Sequence, residues 1–70
     1  MIVFKIDILN CLKEKGYNTN YLRKNKLLSE STMQKIRNKD TSLTLKNLDS
    51  ICNLLEMQPG DIVEFIVSEE

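Results

Sequence analysis

Apolar residues recur every three or four positions in several short stretches of the chain. Ile8, Cys11 and Leu12 share one face of the first stretch, because residues at this spacing line one side of an α-helix. We therefore predict a first helix over about 5–15, ended by Gly16, a residue type that favours the conformation found after helices. The longest stripe predicts a fourth helix over 45–55 and consists of Leu45, Leu48, Ile51, Cys52 and Leu55.

Short polar residues mark where the intervening helices begin. Their side-chain oxygens can accept hydrogen bonds from the free backbone N–H groups of a first helical turn. The predicted caps are Asn18 for a second helix over about 19–26, Ser29 for a third over about 30–37, and Thr44 for the fourth. Residues 18–38 are thus predicted to form two capped helices joined by a short turn, with Leu22 as the inward anchor of the first of them.

The two ends of the chain are less regular. Pro59 suits the first position of a short fifth helix, whereas Ile2, Phe4 and Ile6 form an alternating run and 64–68 is rich in strand-forming residues. The predicted fold class is all-α, with five short helices in one domain spanning residues 1–70. Each end is either a strand or an apolar patch that a partner covers.

The third helix has an apolar side and a polar side. At about 100° per residue, Met33 and Ile36 fall together. The opposite side consists of Ser31, Gln34, Lys35 and Asn38, flanked by Glu30 and Arg37. Two apolar anchors beneath a polar outer face are what a helix needs to read base edges in the major groove of DNA.

The side chains of this region fit contacts with DNA. Gln34 can form two hydrogen bonds with adenine and Lys35 can donate to guanine, while the start of the second helix offers free N–H groups to a phosphate. Positive charge around this surface comes from Lys24, Lys26, Arg37 and Lys39. The candidate DNA-contacting residues are Thr19, Asn20, Ser29, Glu30, Ser31, Thr32, Gln34, Lys35, Arg37, Asn38 and Lys39.

Charge is unevenly distributed although the net charge is zero. Residues 19–39 carry six basic side chains against Glu30 alone, a net of +5, whereas residues 49–70 carry six acidic side chains and no basic one, a net of −6. A locally basic surface favours an anionic partner. A solvated helix face is the alternative interpretation.

The composition argues against several classes of protein. The longest apolar run has four residues, far fewer than the roughly 20 of a membrane helix, and Lys5 interrupts it where a secretory signal would continue. The chain has no histidine, and we expect Cys11 and Cys52 to be reduced core residues of a cytoplasmic protein rather than a disulfide. We expect no metal site, no cofactor and no enzyme activity, because catalytic motifs are absent and five short helices leave little room for a substrate pocket.

The chain resembles the small Cro and lambda-repressor type of helix-turn-helix protein, the XRE family. The resemblance covers about 8–66. It is carried by Leu22-Arg23-Lys24, Ser29 and Thr32-Met33-Gln34-Lys35-Ile36, and then by Leu45, Leu48, Ile51-Cys52, Leu55 and Gly60-Asp61-Ile62-Val63-Glu64. It implies a five-helix, lambda-repressor-like DNA-binding domain that regulates transcription.

The resemblance also implies roles for single positions. In this family the third helix enters the major groove, and the start of the second helix, here Thr19, contacts phosphate. The positions that contact bases or nearby phosphates are those of Glu30, Ser31, Thr32 and Lys35. Such proteins often bind paired half-sites as dimers, so the expected partners are double-stranded DNA and a second copy of the chain, with no membrane.

Three residues depart from the family pattern. Leu27 stands where the turn before the third helix commonly has glycine, and Lys39 replaces another frequent glycine. If Leu27 is left-handed, it costs about 1 kcal/mol or more; otherwise the turn differs. Glu30 is acidic where a neutral polar residue is frequent, so it can accept from cytosine but repels phosphate.

A protein-interaction module on the same scaffold is the alternative function. The net charge is zero and the last third is acidic, while Ile2, Phe4, Phe65 and Val67 are apolar residues near the ends. Such residues could form a dimer seam or dock another protein, such as a second regulator or a toxin.

Overall fold

The computed structural model describes residues 1–67. Within them, one short strand precedes five helices and a second short strand follows them. In chain order the elements are β1 (Ile2–Phe4), α1 (Ile8–Glu14), α2 (Thr19–Lys24), α3 (Glu30–Arg37), α4 (Leu45–Leu55), α5 (Pro59–Ile62) and β2 (Val63–Phe65). The five predicted helices are confirmed. Ser68, which was grouped with the strand-forming residues at the end, lies outside the described residues.

Side chains cap the first four helices. Asn18 accepts from the Tyr21 N–H at 2.8 Å, and the Ser29 and Thr44 hydroxyls accept from the third helical N–H at 3.2 and 3.1 Å. These three caps confirm the predictions, and each contributes about 1 kcal/mol. The cap of α1 is not among the predicted caps: the Asp7 carboxylate accepts from the Asn10 N–H at 3.2 Å.

The core is assembled from all five helices. Its buried members are Ile8, Leu12, Leu22, Leu28, Met33, Ile36, Ile51, Leu55 and Ile62. The two cysteines are free, half-buried and packed against this core, so they lie at its margin. Burial is the largest cause that raises the pKa of the Cys52 thiol, and the nearby Asp49 carboxylate raises it further.

The two ends of the described chain form an antiparallel pair of strands. Ile2 lies opposite Phe65 and Phe4 lies opposite Val63, which resolves the alternative left open by the sequence. The first helix therefore begins at Ile8, not near residue 5, since the Lys5 N–H donates to the Ile62 carbonyl at 2.8 Å.

The stripe predicted for α4 is wrong at its first position. Leu45 is 84% exposed and Leu48 is half-buried, whereas Ile51 and Leu55 are buried. Leu45 is the first residue of α4, directly after the Thr44 cap, whereas the buried residues lie in its later turns. Periodicity gives the direction of a side chain but not whether another element reaches it.

Left-handed residues end the helices around the helix-turn-helix. Lys26 has φ 55° and Lys39 has φ 59°. The Leu27 N–H donates to the Leu22 carbonyl at 2.9 Å. In this helix-ending pattern the left-handed residue is the one before the donor, here Lys26. Leu27 is therefore not left-handed and carries no backbone strain of that kind. The second helix ends at Lys24, two residues earlier than predicted.

Candidate nucleic-acid interface

The α2–α3 unit has a turn that is fixed to the core. Leu28 is buried, Leu27 is half-buried against the core, and Ser29 caps α3 directly after them. Because Leu27 and Leu28 pack on the core, they fix the turn and with it the direction in which α3 begins. Residues 18–38 are thus two capped helices and a short turn, as the sequence predicts.

The outer face of α3 is polar and the inner face is apolar. Met33 is 0% exposed and Ile36 is buried, and together they join α3 to the core. The exposed residues of the helix are Glu30, Ser31, Gln34 and Arg37. This arrangement matches the helical projection at every one of these positions.

Thr32 differs from the other candidates, because its side chain is buried. The residue is 5% exposed, and its hydroxyl and that of Ser29 lie 2.9 Å apart in a hydrogen bond. It belongs to the capping network of α3, which also includes the Ser31 hydroxyl at 3.2 Å from that of Ser29. The projection contained the signal: Thr32 precedes Ile36 by four residues and so shares its buried side.

Lys35 lies at the side of the outer face rather than at its centre. It is half-buried, and its Nζ donates to the Ser42 carbonyl at 3.3 Å. The same loop holds Asp40, whose carboxylate accepts from the Ser42 N–H at 2.9 Å. That hydrogen bond is the largest cause that lowers the pKa of Asp40. A hydrogen bond to the Ser42 side chain lowers it further, and the charge of Lys35 makes a smaller contribution. Lys35 therefore stabilises the loop after α3 in addition to any contact it makes outside.

Arg23 is a residue that the sequence analysis did not include among the candidates. Its guanidinium lies 3.3 Å from the Glu30 carboxylate, and both side chains are exposed. The pair links α2 to the first residue of α3 and offsets the negative charge of Glu30 at the outer face. No periodicity joins two residues on different helices, so only the structure reveals this contact.

The remaining candidates lie at the start of α2, within α3 and after its end. Thr19 and Asn20 are exposed at the beginning of α2, and Asn38 and Lys39 are exposed after the end of α3. The Arg37 guanidinium donates to the Gln34 side-chain oxygen, so these two outward residues are coupled. In the described chain, the candidates other than Thr32 and the half-buried Lys35 are thus exposed.

A groove lies beside β1, and it shares Arg37 and Lys39 with the candidate DNA-contacting residues. Its volume is about 690 Å³, and it is lined by 1–9, Ile36, Arg37, Lys39 and Thr41. The groove is open to the surface, and its lining comes from the first nine residues, the end of α3 and the loop after it. Within residues 1–67, no group of three or more His, Cys, Asp or Glu side chains could hold a metal ion.

Among the described residues, no helix has both the length and the apolar character required to cross a membrane. Comparison with known proteins found no matching curated protein and no matching solved structure. The family model of the Cro/C1-type HTH DNA-binding domain, however, matches residues 7–68, nearly the whole chain. The match spans the capped α2–α3 unit and the helices that hold it, and the chain therefore belongs to the Cro/C1-type HTH DNA-binding domain family.

Proposed function

We propose that this protein is a small transcription regulator that recognises a specific sequence of double-stranded DNA by placing α3 in the major groove. The observation that carries the proposal is the division of α3 into two sides. Met33 and Ile36 fix the helix to the core, while Glu30, Ser31 and Gln34 project from its first five residues. Major-groove readers of this motif contact bases with the N-terminal part of the second helix.

The side chains divide into those that read bases and those that hold the phosphate backbone. Gln34 has an amide suited to adenine, and Glu30 can accept from the cytosine amino group. Arg23 beside Glu30 offsets the repulsion between that carboxylate and nearby phosphates. The residues assigned to phosphates are Thr19, Asn20, Arg37, Asn38 and Lys39. Lys35 and Ser31 lie between the two groups, and Thr32 and Ser29 support the cap.

One copy of α3 reads little DNA. The helix has eight residues, which at 1.5 Å per residue makes it about 12 Å long. Dimers of such motifs bind two half-sites about 34–36 Å apart, which multiplies the specificity of a single helix. We therefore propose that the working unit is a homodimer, acting on DNA in the cytoplasm.

The proposal is tested by capturing fragmented genomic DNA on the purified protein, eluting over a salt series and sequencing what is retained. The expected result is a short motif with two related halves, whose binding weakens steeply with salt because phosphate contacts release counterions. Retention of DNA without any enriched motif would contradict sequence-specific recognition.

Two variants then separate the roles of the side chains. Gln34→Ala should lose about 1–3 kcal/mol of discrimination at one base pair, whereas Lys39→Ala should weaken binding to all sequences alike and reduce the salt dependence. Binding to the captured motif and to single-base variants of it would be measured for both proteins. Equal losses at every position for Gln34→Ala would mean that it does not read a base.

A further inference from the structure

The strand pair leaves backbone groups unpaired along the edge of β1 that faces away from β2. Met1 and Ile66 are a bonded pair, in which each residue donates to the other's carbonyl. Bonded positions alternate along an antiparallel strand, so Ile2 and Phe4 direct their N–H and carbonyl groups away from β2. Within residues 1–67 the sheet has two strands, so these four groups have no strand beside them.

The groove beside β1 lies on this outer side of the strand. Its lining is formed by 1–9, Ile36, Arg37, Lys39 and Thr41, and none of the residues described for β2 contributes. A groove on a face of the sheet would instead take its lining from both strands. The end of α3 and the loop after it therefore form the far wall. The volume between, about 690 Å³, is in the range of sites that hold a ligand.

The charge available in the groove is positive. The two ion pairs within residues 1–67 lie elsewhere, so neither Arg37 nor Lys39 has an acidic partner there. Of the other charged side chains in the lining, Lys5 donates to the Gly60 carbonyl at 3.0 Å and Asp7 caps α1. Two exposed cations on the far wall favour an occupant with negative charge.

The backbone edge narrows the kind of occupant further. Ile2 and Phe4 each present an N–H and a carbonyl, so the edge needs both acceptors and donors. A carboxylate accepts from N–H groups but has no hydrogen to donate to the carbonyls, whereas an extended backbone satisfies both. A second copy paired through the same edge would bring the cations of the two copies together, and like charges oppose association.

We propose that this groove binds an extended acidic segment of a partner protein, which adds to the outer edge of β1 as a third strand. The backbone of the segment pairs with Ile2 and Phe4, and its acidic side chains pair with Arg37 and Lys39. In strand addition, main-chain hydrogen bonds supply affinity and side-chain contacts supply selectivity. An unpaired strand edge is a template for this kind of pairing.

Occupation of the groove opposes DNA binding, a consequence that rests on the proposed function. Arg37 and Lys39 line the groove and are also the cations that we assign to phosphates. A bound acidic segment neutralises both and removes these phosphate contacts. By linkage, DNA weakens the binding of the segment by the same factor. The partner therefore releases the regulator from its DNA site.

The test uses the full chain and, as the probe, a capped hexapeptide of alternating valine and glutamate. Binding is followed by NMR, which reports on single backbone amides. We expect a dissociation constant below about 1 mM. The amides of Ile2 and Phe4 should shift and exchange more slowly with solvent, because they become hydrogen-bonded. A slip of one residue turns the glutamates to the other face of the sheet, so one peptide serves for both faces.

Two further peptides separate strand pairing from simple charge attraction. N-methylation of the internal amides removes the hydrogen-bond donors and keeps the charge, whereas lysine in place of glutamate reverses the charge. Each change should weaken binding at least about tenfold. An N-methylated or lysine peptide that binds as tightly as the probe would overturn the proposal. So would a probe that fails to half-saturate the protein at about 1 mM.

A pair of double variants locates the site on the protein. Arg37→Ala with Lys39→Ala should weaken binding of the probe at least about tenfold, because both charge-assisted contacts are lost. Lys24→Ala with Lys46→Ala is the matched control, since it removes two exposed cations that do not line the groove, and it should leave binding unchanged. Equal losses in both proteins would overturn the site, because net charge alone would then hold the peptide. Circular dichroism checks folding, and glutamine replaces alanine in any variant that does not fold.

DNA binding separates this inference from the proposed function. If the probe binds as described but the protein retains no DNA motif, the regulator proposal fails and the groove site stands. If a motif is retained but the probe fails the tests above, the groove inference fails and the regulator proposal stands. If both bind, the probe should release the protein from its motif, and simultaneous binding without loss of affinity would overturn the antagonism.

Sedimentation equilibrium with and without the probe examines the remaining occupant, a second copy of the chain. The probe should leave the oligomeric state of the protein unchanged, because the groove of each copy is open before the peptide arrives. A dimer that the probe dissociates would show that a second copy occupies the groove, and would overturn the assignment to a partner protein.

Discussion

The α2–α3 unit and the β1–β2 strand pair differ in how far their apolar side chains are exposed to solvent. In the first, the apolar residues Leu22, Leu28 and Met33 are buried, and apart from Tyr21 the exposed side chains are polar. In the second, Ile2 and Phe65 remain substantially exposed, as does Val67 just after β2, although Phe4 and Val63 contact the core. The α2–α3 unit therefore presents a polar surface suited to a polar ligand, whereas the strand pair presents an exposed apolar edge.

Truncation of one apolar residue in each region gives the largest expected contrast. Met33→Ala should destabilise the protein by about 2–5 kcal/mol, because it leaves a cavity under α3. Phe65→Ala should cost under about 1 kcal/mol in a dilute monomer, since it loses only cross-strand contact. Thermal unfolding followed by circular dichroism at low concentration measures both.

The comparison would be broken by the opposite ranking. If Phe65→Ala lowered the melting temperature of the dilute monomer as much as Met33→Ala, the strand pair would be part of the core.

The cap of α3 gives a middle-sized effect. Ser29→Ala removes the acceptor for the Thr32 N–H and the partner of the Thr32 hydroxyl, and should cost about 1–2 kcal/mol. Ser31→Ala is the matched control, because that exposed serine contacts the Ser29 hydroxyl but accepts no backbone N–H of α3, and it should change stability by under about 0.5 kcal/mol. Similar melting temperatures for both variants would show that the Ser29 network does not support α3.

How far the sequence predicts this molecule depends on whether a feature is local. Caps and helix spans depend on neighbours in the chain, so Asn18, Ser29 and Thr44 are identified correctly. Exposure at Leu45 and the contact of Arg23 with Glu30 depend on which elements meet in space, and periodicity carries no such information. The strand pair joins the two ends of the described chain, so the sequence leaves it as one of two alternatives.

Within the candidate site the division is the same. Met33 and Ile36 are placed correctly, because the helical projection decides them. Thr32 was assigned by its chemistry as a short hydroxyl, although its spacing from Ile36 indicates the buried side. The DNA-contacting roles of the remaining residues stay predictions.

The smallest expected effect concerns the turn that precedes α3. Lys26 is left-handed at φ 55°, which costs a non-glycine residue about 1–2 kcal/mol, while glycine loses about 0.5–1 kcal/mol more to chain entropy. Lys26→Gly should therefore leave stability unchanged or raise it by up to about 1.5 kcal/mol. Leu27→Gly should lower it, because Leu27 is half-buried against the core and is not the left-handed residue. Thermal melts of the two variants decide which residue bears the strain: stabilisation by Leu27→Gly and loss by Lys26→Gly would move the left-handed position to Leu27, where the family pattern places its glycine.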